Sequence, residues 1–563
     1  MLRQRVREAL DTASSNRAIK YGVYLAAVIV FLALILFPPI IGIITRLGAV
    51  QQILSEPSIV TRTFSAVGNS FAVAVLVSVV DVAAGVPMAW LIARGKSKWL
   101  NVVDTLADIP FVVPTSALGY SLLLFWNMPG GVSAFFGGPL VSEGWLLVIL
   151  LHFTFSYPVV IRVLVGALLD YKVEYERASR TLGAPPLTAV RTVTFPILKP
   201  SLIAAFILAF ARSLSETGAT FIVAGLFENG PVFIQNITKS FKAGAVTQVT
   251  YDGSIALASL LLIVSASAIF AFIRVLGPRL KLPIKGTWPG FERKLSYSKA
   301  SFSRNSVTML IFIAIVLIPS LWVALPAIEA VFTPTLHNSL SGIGIWSGYW
   351  QSLAVSYLLA ATVTILNIII GLPMAILIAR KRMGALTSNI LDVLIMVPLI
   401  VPSIALGVSL KFFWHQTFAF IPEILLLIFA HLTITYPYFV RSVSAAIERI
   451  NVDIEEASRT LGAKPWDVFR TIIFPLTKYS ILSGAVIVFT RSVSETGATA
   501  AVASTLQTVP LIIVNWVNML LHPSTSNPSV TPLDVGLGCG ILILFSFIIL
   551  LVLRFISKEK GRS

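Results

Sequence analysis

Two matching polar segments interrupt long apolar stretches of this 563-residue sequence, and each holds an arginine and a glutamate four residues apart. They read ARSLSETGAT, with Arg212 and Glu216, and TRSVSETGAT, with Arg491 and Glu495. A carboxylate within an apolar membrane helix costs about 2.5–3.5 kcal/mol at the bilayer centre, so it requires a partner or a task. Residues four apart share one face of a helix, and each arginine can therefore neutralise its own glutamate.

These segments allow two compatible interpretations. In the first, the ion pairs only hold a helix bundle together, and Gly218 and Gly497 permit close helix packing. In the second, the polar segments line a translocation path or gate where two halves of the chain meet. The candidate path or gate residues are Arg212, Ser215, Glu216, Thr217, Arg491, Ser494, Glu495 and Thr496.

A second duplicated stretch is the longest charged, helix-prone segment of each half. The first charged loop, Glu174–Pro196, reads EYERASRTLGAPPLTAVRTVTFP, and the second charged loop, Asp453–Pro475, reads DIEEASRTLGAKPWDVFRTIIFP. Each begins as a short helix that Gly and then Pro interrupt, a shape that suits docking into a groove on another protein. The residues singled out in these loops are Glu176, Ala178, Gly183, Pro196, Glu455, Ala457, Gly462 and Pro475.

Prolines also recur at matching places within two apolar stretches. A proline removes a helix hydrogen bond and frees a carbonyl, which a membrane helix tolerates only where protein or water satisfies it. Kinks are therefore expected there, either beside a path or for packing alone. The predicted kink positions are Pro110, Pro114, Pro398 and Pro402.

The elements that carry these residues follow from composition. Hydrophobic residues make up 56% of the chain, charged residues only 12%, and the mean hydropathy is +0.88, which excludes an ordinary soluble domain. The apolar runs reach about 20 residues without strict alternation, which favours spanning helices over a barrel. We predict an all-α polytopic membrane protein whose twelve spans lie near 21–44, 66–93, 101–127, 141–168, 198–225, 253–275, 305–331, 350–379, 388–415, 420–447, 477–503 and 533–555.

The duplication covers most of the chain. GVPMAWLIAR, with Gly85 and Pro87, recurs as GLPMAILIAR, with Gly371 and Pro373. Each half has six predicted spans, an even number, so the two repeats share one orientation about an axis along the membrane normal. The predicted units are a first repeat (1–276), a cytoplasmic linker (277–304) and a second repeat (305–563).

The net charge of +17 is explained by orientation rather than by a nucleic acid partner. With the N- and C-termini in the cytoplasm, most of the 42 Lys and Arg residues fall on cytoplasmic arms, loops and the linker. We therefore expect a multi-pass protein of the cell membrane with both charged loops in the cytoplasm. The same orientation places few cationic residues on the external side of the membrane, namely Arg46, Arg62, Lys239, Lys242 and Lys411.

Sequence motifs for catalysis do not occur. The chain contains no G-x-x-x-x-G-K-[S/T] phosphate loop, no H-E-x-x-H and no G-x-S-x-G, so ATP hydrolysis, if needed, falls to another polypeptide. No cofactor or metal site is expected: Cys539 is the single cysteine, and His152 and His431 are expected to be hydrogen-bonded core residues rather than ligands.

The charged loops carry a family resemblance. Glu-x-Ala, a Gly seven positions after the Glu, and then Val-x-Phe-Pro or Ile-x-Phe-Pro closely resemble the EAA loop of ATP-binding-cassette (ABC) importer permeases. The pattern departs modestly, because Arg177 and Glu456 replace the first Ala. The resemblance implies the type I importer permease fold, with two separate nucleotide-binding ATPase subunits that receive each loop as a coupling helix. It further implies that Glu176 and Glu455 face basic residues of the ATPase and that Pro196 and Pro475 start the next span.

The resemblance also bears on the other partners and the solute. ARSLSETGAT resembles a run of molybdate and sulfate permeases, whereas the fused halves resemble ferric iron and thiamine permeases. We expect a small solute, with a preference for an inorganic ion such as ferric iron or an oxyanion; thiamine, a polyamine or a sugar is the alternative. In such permeases the external segments corresponding to Gly230–Phe241 and Thr508–Leu520 contact the solute-binding protein.

Two other classes of protein remain open from composition alone. A secondary transporter with twelve spans in two parallel halves has the same topology, although the duplicated charged loops argue against it. The second class is a membrane scaffold or channel component. Copurification with an ATPase would distinguish an importer from a protein of this class.

Overall fold

The computed structural model describes residues 11–558 except 13, 96, 277–278, 280–288, 297, 419 and 524–528. The chain ends and part of the predicted linker thus lie outside the described residues. Among the residues described, the regular elements are all helices, and ten of them are long and apolar enough to cross a membrane. Two bent helix pairs bring the number of spans to twelve, which confirms the predicted all-helical membrane fold.

The helices of the first repeat follow the predicted spans closely, with short helical turns at Leu47–Ile53 and Val132–Phe136 in the connections. They are α1 (Arg17–Ile44), α2 (Pro57–Arg94), α3 (Trp99–Phe111), α4 (Thr115–Trp126), α5 (Trp145–Asp170), α6 (Glu174–Thr181), α7 (Pro186–Ser215), α8 (Gly218–Val223), α9 (Gly230–Lys242) and α10 (Gln248–Leu276).

The second repeat reproduces this order after a short linker helix, with further turns at Pro334–Ser341 and Gly344–Trp346. Its helices are α11 (Pro289–Leu295) in the linker, then α12 (Ala300–Val331), α13 (Tyr349–Ala379), α14 (Ala385–Ile400), α15 (Ser403–Thr417), α16 (Glu423–Glu448), α17 (Val452–Thr460), α18 (Pro465–Val493), α19 (Gly497–Val502), α20 (Val509–Leu521) and α21 (Pro532–Lys558).

The third span of each repeat is broken rather than merely kinked. Helices α3 and α4 meet at 105°, as do α14 and α15. Pro114 and Pro402 cap the second helix of each pair with extended backbone, at ψ values of 141° and 134°. Pro110 and Pro398 occupy the first turn of the short helical segments just before the bends, where a missing N–H costs no helix hydrogen bond.

The fifth spans, by contrast, are not the continuous helices expected over 198–225 and 477–503. Helix α7 ends at Ser215 and α18 at Val493, and α8 and α19 restart at Gly218 and Gly497. The predicted Glu216 and Glu495 therefore lie in a break of the helix, where backbone groups are free to hydrogen bond with side chains.

The two repeats exchange their first helices. Helix α1 packs against α13 and α15 of the second repeat, and Gly42 of α1 approaches Ser409 so closely that an added Cβ would lie 2.0 Å from its carbonyl oxygen. Helix α12 of the second repeat likewise packs against the first repeat, where the Ser121 hydroxyl donates to the Pro319 carbonyl of α12 at 2.6 Å. The interface between the repeats is thus continuous with the core of each.

Candidate functional site

Both charged loops end their helices with the same left-handed turn. In the first, the Gly183 N–H donates to the Arg180 carbonyl at 3.1 Å and the Ala184 N–H to the Ser179 carbonyl at 3.3 Å. Gly183 has φ +90° and its counterpart Gly462 has φ +89°, which a residue with a Cβ adopts only with strain. This Schellman arrangement stops α6 and α17 abruptly and turns the chain back towards the bundle.

A leucine stands at the tip of each turn and was not singled out from the sequence. Leu182 and Leu461 are each 89% exposed, whereas most large apolar side chains on this protein face the core or the apolar belt. Ala178 and Ala457 are exposed on the helices just before them. An apolar residue directly before the left-handed glycine of a polar helix was the signal available in the sequence.

The two loop glutamates differ sharply in their surroundings. The Glu455 carboxylate is 1% exposed and lies 2.6 Å from the Arg380 guanidinium at the end of α13. In this structure Glu455 thus meets an arginine of its own chain, whereas a basic residue of the ATPase was expected as its partner. Glu176 is half-buried and has no ion pair within the described residues, and the equivalent Arg94 instead lies over the rings of Trp90 and Tyr171.

The loop prolines also differ from expectation. Pro196 and Pro475 do not start the spans, since α7 and α18 begin at Pro186 and Pro465. Each lies one residue inside the helix that follows a five-residue π-helical stretch, Val190–Thr194 or Phe469–Ile473. A proline has no N–H to donate, so the wider π-turn before it lets the helix continue through it.

Each loop is capped by a segment that precedes the first helix of the opposite repeat. The Leu187 N–H donates to Ser296 Oγ at 3.3 Å, and the Trp466 N–H donates to Ser14 Oγ at 3.1 Å. Leu187 and Trp466 are equivalent positions, at the first turns of α7 and α18. Glu292 adds an ion pair at the first loop, accepting from Arg191 Nε at 2.6 Å and from the Thr188 hydroxyl.

The breaks in the fifth spans contain the predicted ion pairs. Arg212 lies 2.9 Å from Glu216, and Arg491 lies 2.7 Å from Glu495. Each carboxylate also accepts a backbone N–H at the start of the next short helix, from Ala219 at 3.3 Å and from Ala498 at 3.0 Å. The glutamates, 3% and 2% exposed, thus join the two helices of each broken span, while the arginines remain partly accessible at 16% and 12%.

The expected core role of the histidines is what the structure shows. The His152 imidazole bridges the break in the fifth span of the first repeat. Its Nδ1 lies 2.8 Å from Ser213 Oγ before the break, and its Nε2 lies 2.9 Å from Thr220 Oγ1 after it. His431 makes the same two contacts in the second repeat. Each broken span is therefore fastened at two points, by the ion pair and by the imidazole.

The two breaks meet each other across the interface between the repeats. An added Cβ on Gly218 would lie 2.4 Å from Thr496 Cβ, and one on Gly497 would lie 2.7 Å from Thr217 Cβ. Ser403 Oγ donates to Thr217 Oγ1 at 3.3 Å, which ties the start of α15 to the same contact. Small residues thus allow backbones of the two repeats to touch where Thr217 and Thr496 cross.

A cavity of about 160 Å³ lies directly beside this contact. Arg212 and Arg491 line it from the two repeats, and they precede the breaks on α7 and α18, so the cavity lies on the side of the charged loops. Its polar lining is completed by Thr115, Tyr438, Thr490 and Ser494. Ser215 is buried and its hydroxyl donates to the Arg212 carbonyl instead.

A family model described as the binding-protein-dependent transport system inner membrane component matches residues 85–282 and again residues 371–559. The chain belongs to this family. It is a membrane-spanning permease of an ABC importer and carries the family domain twice.

Known permeases match either less than half of the chain or most of it. The sulfate transport system permease protein CysT of Salmonella typhimurium is 31% identical over 38% of this chain and 78% of its own length. The molybdate/tungstate permease protein WtpB of Methanocaldococcus jannaschii is 28% identical over 46% of this chain and 97% of its own. The putative ferric transport permease protein FbpB 1 of Haemophilus influenzae is 24% identical over 80% of this chain and 71% of its own.

The face of the permease opposite the charged loops carries two further matching helices. Asn229 is the N-cap of α9 and its side chain accepts the Val232 N–H, while Thr508 is the N-cap of α20. Both start with proline in the first turn and bury one side of the helix against the bundle. They correspond to the external segments expected at Gly230–Phe241 and Thr508–Leu520.

We predict that Glu292→Gln releases α11 from the first charged loop of the permease. The hydrogen bond from Arg191, with a second from Thr188, lowers the pKa of Glu292 below its ordinary value of 4.5. The contact therefore contributes its full stability above about pH 4.5 and loses it as the pH falls through the lowered folded-state pKa. The hydrogen-exchange protection of residues 289–296, corrected for the intrinsic exchange rate at each pH, should fall in the variant at pH 7, and in the wild type only under acid.

Glu448→Gln is the matched control, because Glu448 is an exposed carboxylate at the loop end of α16 without an ion pair in the described part of the chain. Equal exchange in Glu292→Gln and Glu448→Gln at pH 7 would show that the ion pair does not hold α11.

Proposed function

We propose that this permease imports a small inorganic ion that an external binding protein delivers, driven by two separate ATPase subunits in the cytoplasm. The observation that carries the proposal is the pair of matching loops, each with an abruptly ended helix and an exposed leucine at its tip. Such a duplicated projection suits two identical or similar partners that move together. We place both charged loops and both termini in the cytoplasm because the positive-inside distribution of Lys and Arg supports this orientation.

The coupling step is assigned to α6 and α17. In this proposal, Leu182 and Leu461 enter apolar hollows on the two ATPase subunits, with Ala178 and Ala457 beside them. Glu455 acts as a positioning residue through Arg380, so movement of α17 is passed to α13. Glu176, half-buried in the first charged loop, is left to meet a cation of the ATPase.

The translocation path is assigned to the cavity between the repeats. Arg212 and Arg491 present guanidinium groups to it, and the contact of Thr217 with Gly497 closes it from the opposite face. Separating the loops or drawing them together would move α7 and α18, and hence this contact. The repeats 1–276 and 305–563, joined by the linker 277–304, are proposed to move against each other in this step.

The solute class rests on the relatives and on the site. CysT, WtpB and FbpB 1 are named for sulfate, molybdate or tungstate, and ferric iron, which are all inorganic ions. A cavity of about 160 Å³ is small for thiamine or a sugar in this conformation. Helices α9 and α20 are proposed as the landing surface for the binding protein.

Reconstitution tests the proposal directly. The permease is placed in proteoliposomes with its copurifying ATPase subunits and binding protein, and uptake of labelled molybdate, sulfate and ferric iron is measured. We expect uptake of one of these ions that requires both ATP and the loaded binding protein. Uptake driven by a proton gradient in the absence of any ATPase subunit would instead identify a secondary transporter.

A further inference from the structure

A second polar cavity lies on the face of the permease opposite the charged loops, at the junction of the two repeats. It has a volume of about 320 Å³ and is distinct from the cavity that holds Arg212 and Arg491. Helices α9 and α10 of the first repeat and α15 and α19 of the second form its walls. Its polar lining consists of Thr238, Lys242, Gln248, Tyr251, Lys411 and His415.

Two lysines, one from each repeat, converge on this cavity. Lys411 is half-buried, and its ammonium makes only a long contact of 3.4 Å to the Ala501 carbonyl. Lys242 stands at the exposed rim. Within the described residues, neither ammonium has a carboxylate within salt-bridge distance, although two like charges at one cavity repel each other.

The nearby acidic groups are already engaged elsewhere. Asp252 accepts from Gln248 at 2.8 Å and lies 3.4 Å from the Arg46 guanidinium. Glu423 accepts the backbone N–H groups of Ser504, Thr505 and Leu506. The charge of Glu423 acts on Lys411 only from beyond salt-bridge distance. Within the described residues the two ammonium groups therefore have no carboxylate in direct contact, and an anion in the cavity would supply that contact.

The cavity offers donors of the kind that hold oxyanions. The ammonium groups supply charge-assisted hydrogen bonds, and the second amide hydrogen of Gln248 adds a neutral donor. Phe412 and Ala501 are buried in the wall, so an anion there would be partly shielded from water and bound more strongly.

The repeat symmetry shows that this cavity is not a general feature of the fold. The alignment of the third spans places Leu123 opposite Lys411, and the alignment of α9 with α20 places Leu521 opposite Lys242. The equivalent junction on the other side is thus apolar at both positions. Among the described residues, the cavity with two lysines therefore lies at one of the two junctions, close to α19 and beyond the contact of Thr496 with Gly218.

We propose that this cavity binds a tetrahedral oxyanion, such as molybdate, sulfate or phosphate, at the outer side of the permease. The proposal rests on the function and orientation proposed above and narrows the solute class to an anion that is received here before the inner contact opens. A lipid phosphate presents the same chemistry, so the source of the oxyanion is part of the test.

The test uses the full chain in nanodiscs of phosphatidylcholine, with molybdate, sulfate and phosphate titrated at constant ionic strength and binding measured by calorimetry. We expect saturable binding of one anion per chain. In Lys242→Met with Lys411→Met, the affinity should fall at least about tenfold, because both charge-assisted hydrogen bonds to the anion are lost. Lys239→Met is the matched control: it removes one charge from the same helix at a position that does not line the cavity.

A second arm separates the two sources of the oxyanion. In nanodiscs that contain phosphatidylglycerol, unchanged molybdate affinity supports a site for the free anion, whereas competitive loss of affinity together with copurified lipid supports a headgroup site. Absence of binding in the wild type, or equal affinity in the wild type and the double variant, overturns the oxyanion site. ATP-dependent uptake measured in parallel keeps this result apart from the importer function, which would stand if uptake persisted without oxyanion binding.

Discussion

Replacing Leu182 and Leu461 with aspartate should detach the ATPase subunits and abolish ATP-driven uptake while leaving the permease folded. Both side chains are 89% exposed, so the change removes little internal packing. Burying a leucine in a partner is worth about 1.5–3 kcal/mol, and a carboxylate in the same hollow adds a desolvation cost. We expect the affinity for the ATPase to fall by at least about 100-fold in the double variant, as measured by copurification and by light scattering.

Leu226→Asp provides the control for this experiment. Leu226 is fully exposed but lies after α8, on the face opposite the charged loops. ATPase binding should therefore be unchanged in this variant. Normal ATPase binding by the Leu182 and Leu461 double variant would show that the loop tips do not anchor the partner.

Neutralising the buried carboxylates, by Glu216→Gln with Glu495→Gln, should stop transport more completely than it prevents assembly. Each substitution leaves a partly buried arginine without its partner, and breaking a buried ion pair costs about 3–5 kcal/mol. The helix break remains capped in part, because a glutamine oxygen can still accept the N–H of Ala219 or Ala498. We expect a lowered thermal unfolding temperature and uptake close to background.

A double substitution that removes both charges of one ion pair distinguishes a structural role of the pair from a role in transport. Arg491→Gln combined with Glu495→Gln removes both charges, so it should recover much of the stability that Glu495→Gln alone loses. If the arginine also serves the translocated ion, uptake should remain low in this double variant. Recovery of stability and uptake together would show that the ion pair only holds the broken span.

The difference between the two charged loops has a consequence for these experiments. Glu455 is fixed to Arg380 inside the chain, whereas Glu176 is not paired with Arg94 in the described structure. The first charged loop is instead tied to α11 through Glu292. Substitutions at matching positions of the two loops should therefore differ in effect, and single variants need to be measured beside the double ones.

Much of the architecture was predictable because it depends on local pattern. Apolar runs of membrane length, the repeated EAA-like loops and the glycine that ends each loop helix are all properties of neighbouring residues. The Arg212–Glu216 ion pair could also be predicted from the sequence, since residues four apart on a helix are neighbours whatever surrounds them. The break in the helix at Glu216 was harder to predict, because no proline or helix-breaking run marks it in the sequence.

The class of protein, the duplication, the projecting loops and the charge pairs within one helical turn all follow from the amino-acid sequence alone. Three other features emerge only from the packing of the helices: Arg380 buries Glu455, Ser14 and Ser296 cap loops of the opposite repeat, and Lys242 and Lys411 share a cavity. The physical reason is distance along the chain. Contacts between residues tens to hundreds of positions apart depend on how helices pack and cross, and spacing within one segment carries no information about them.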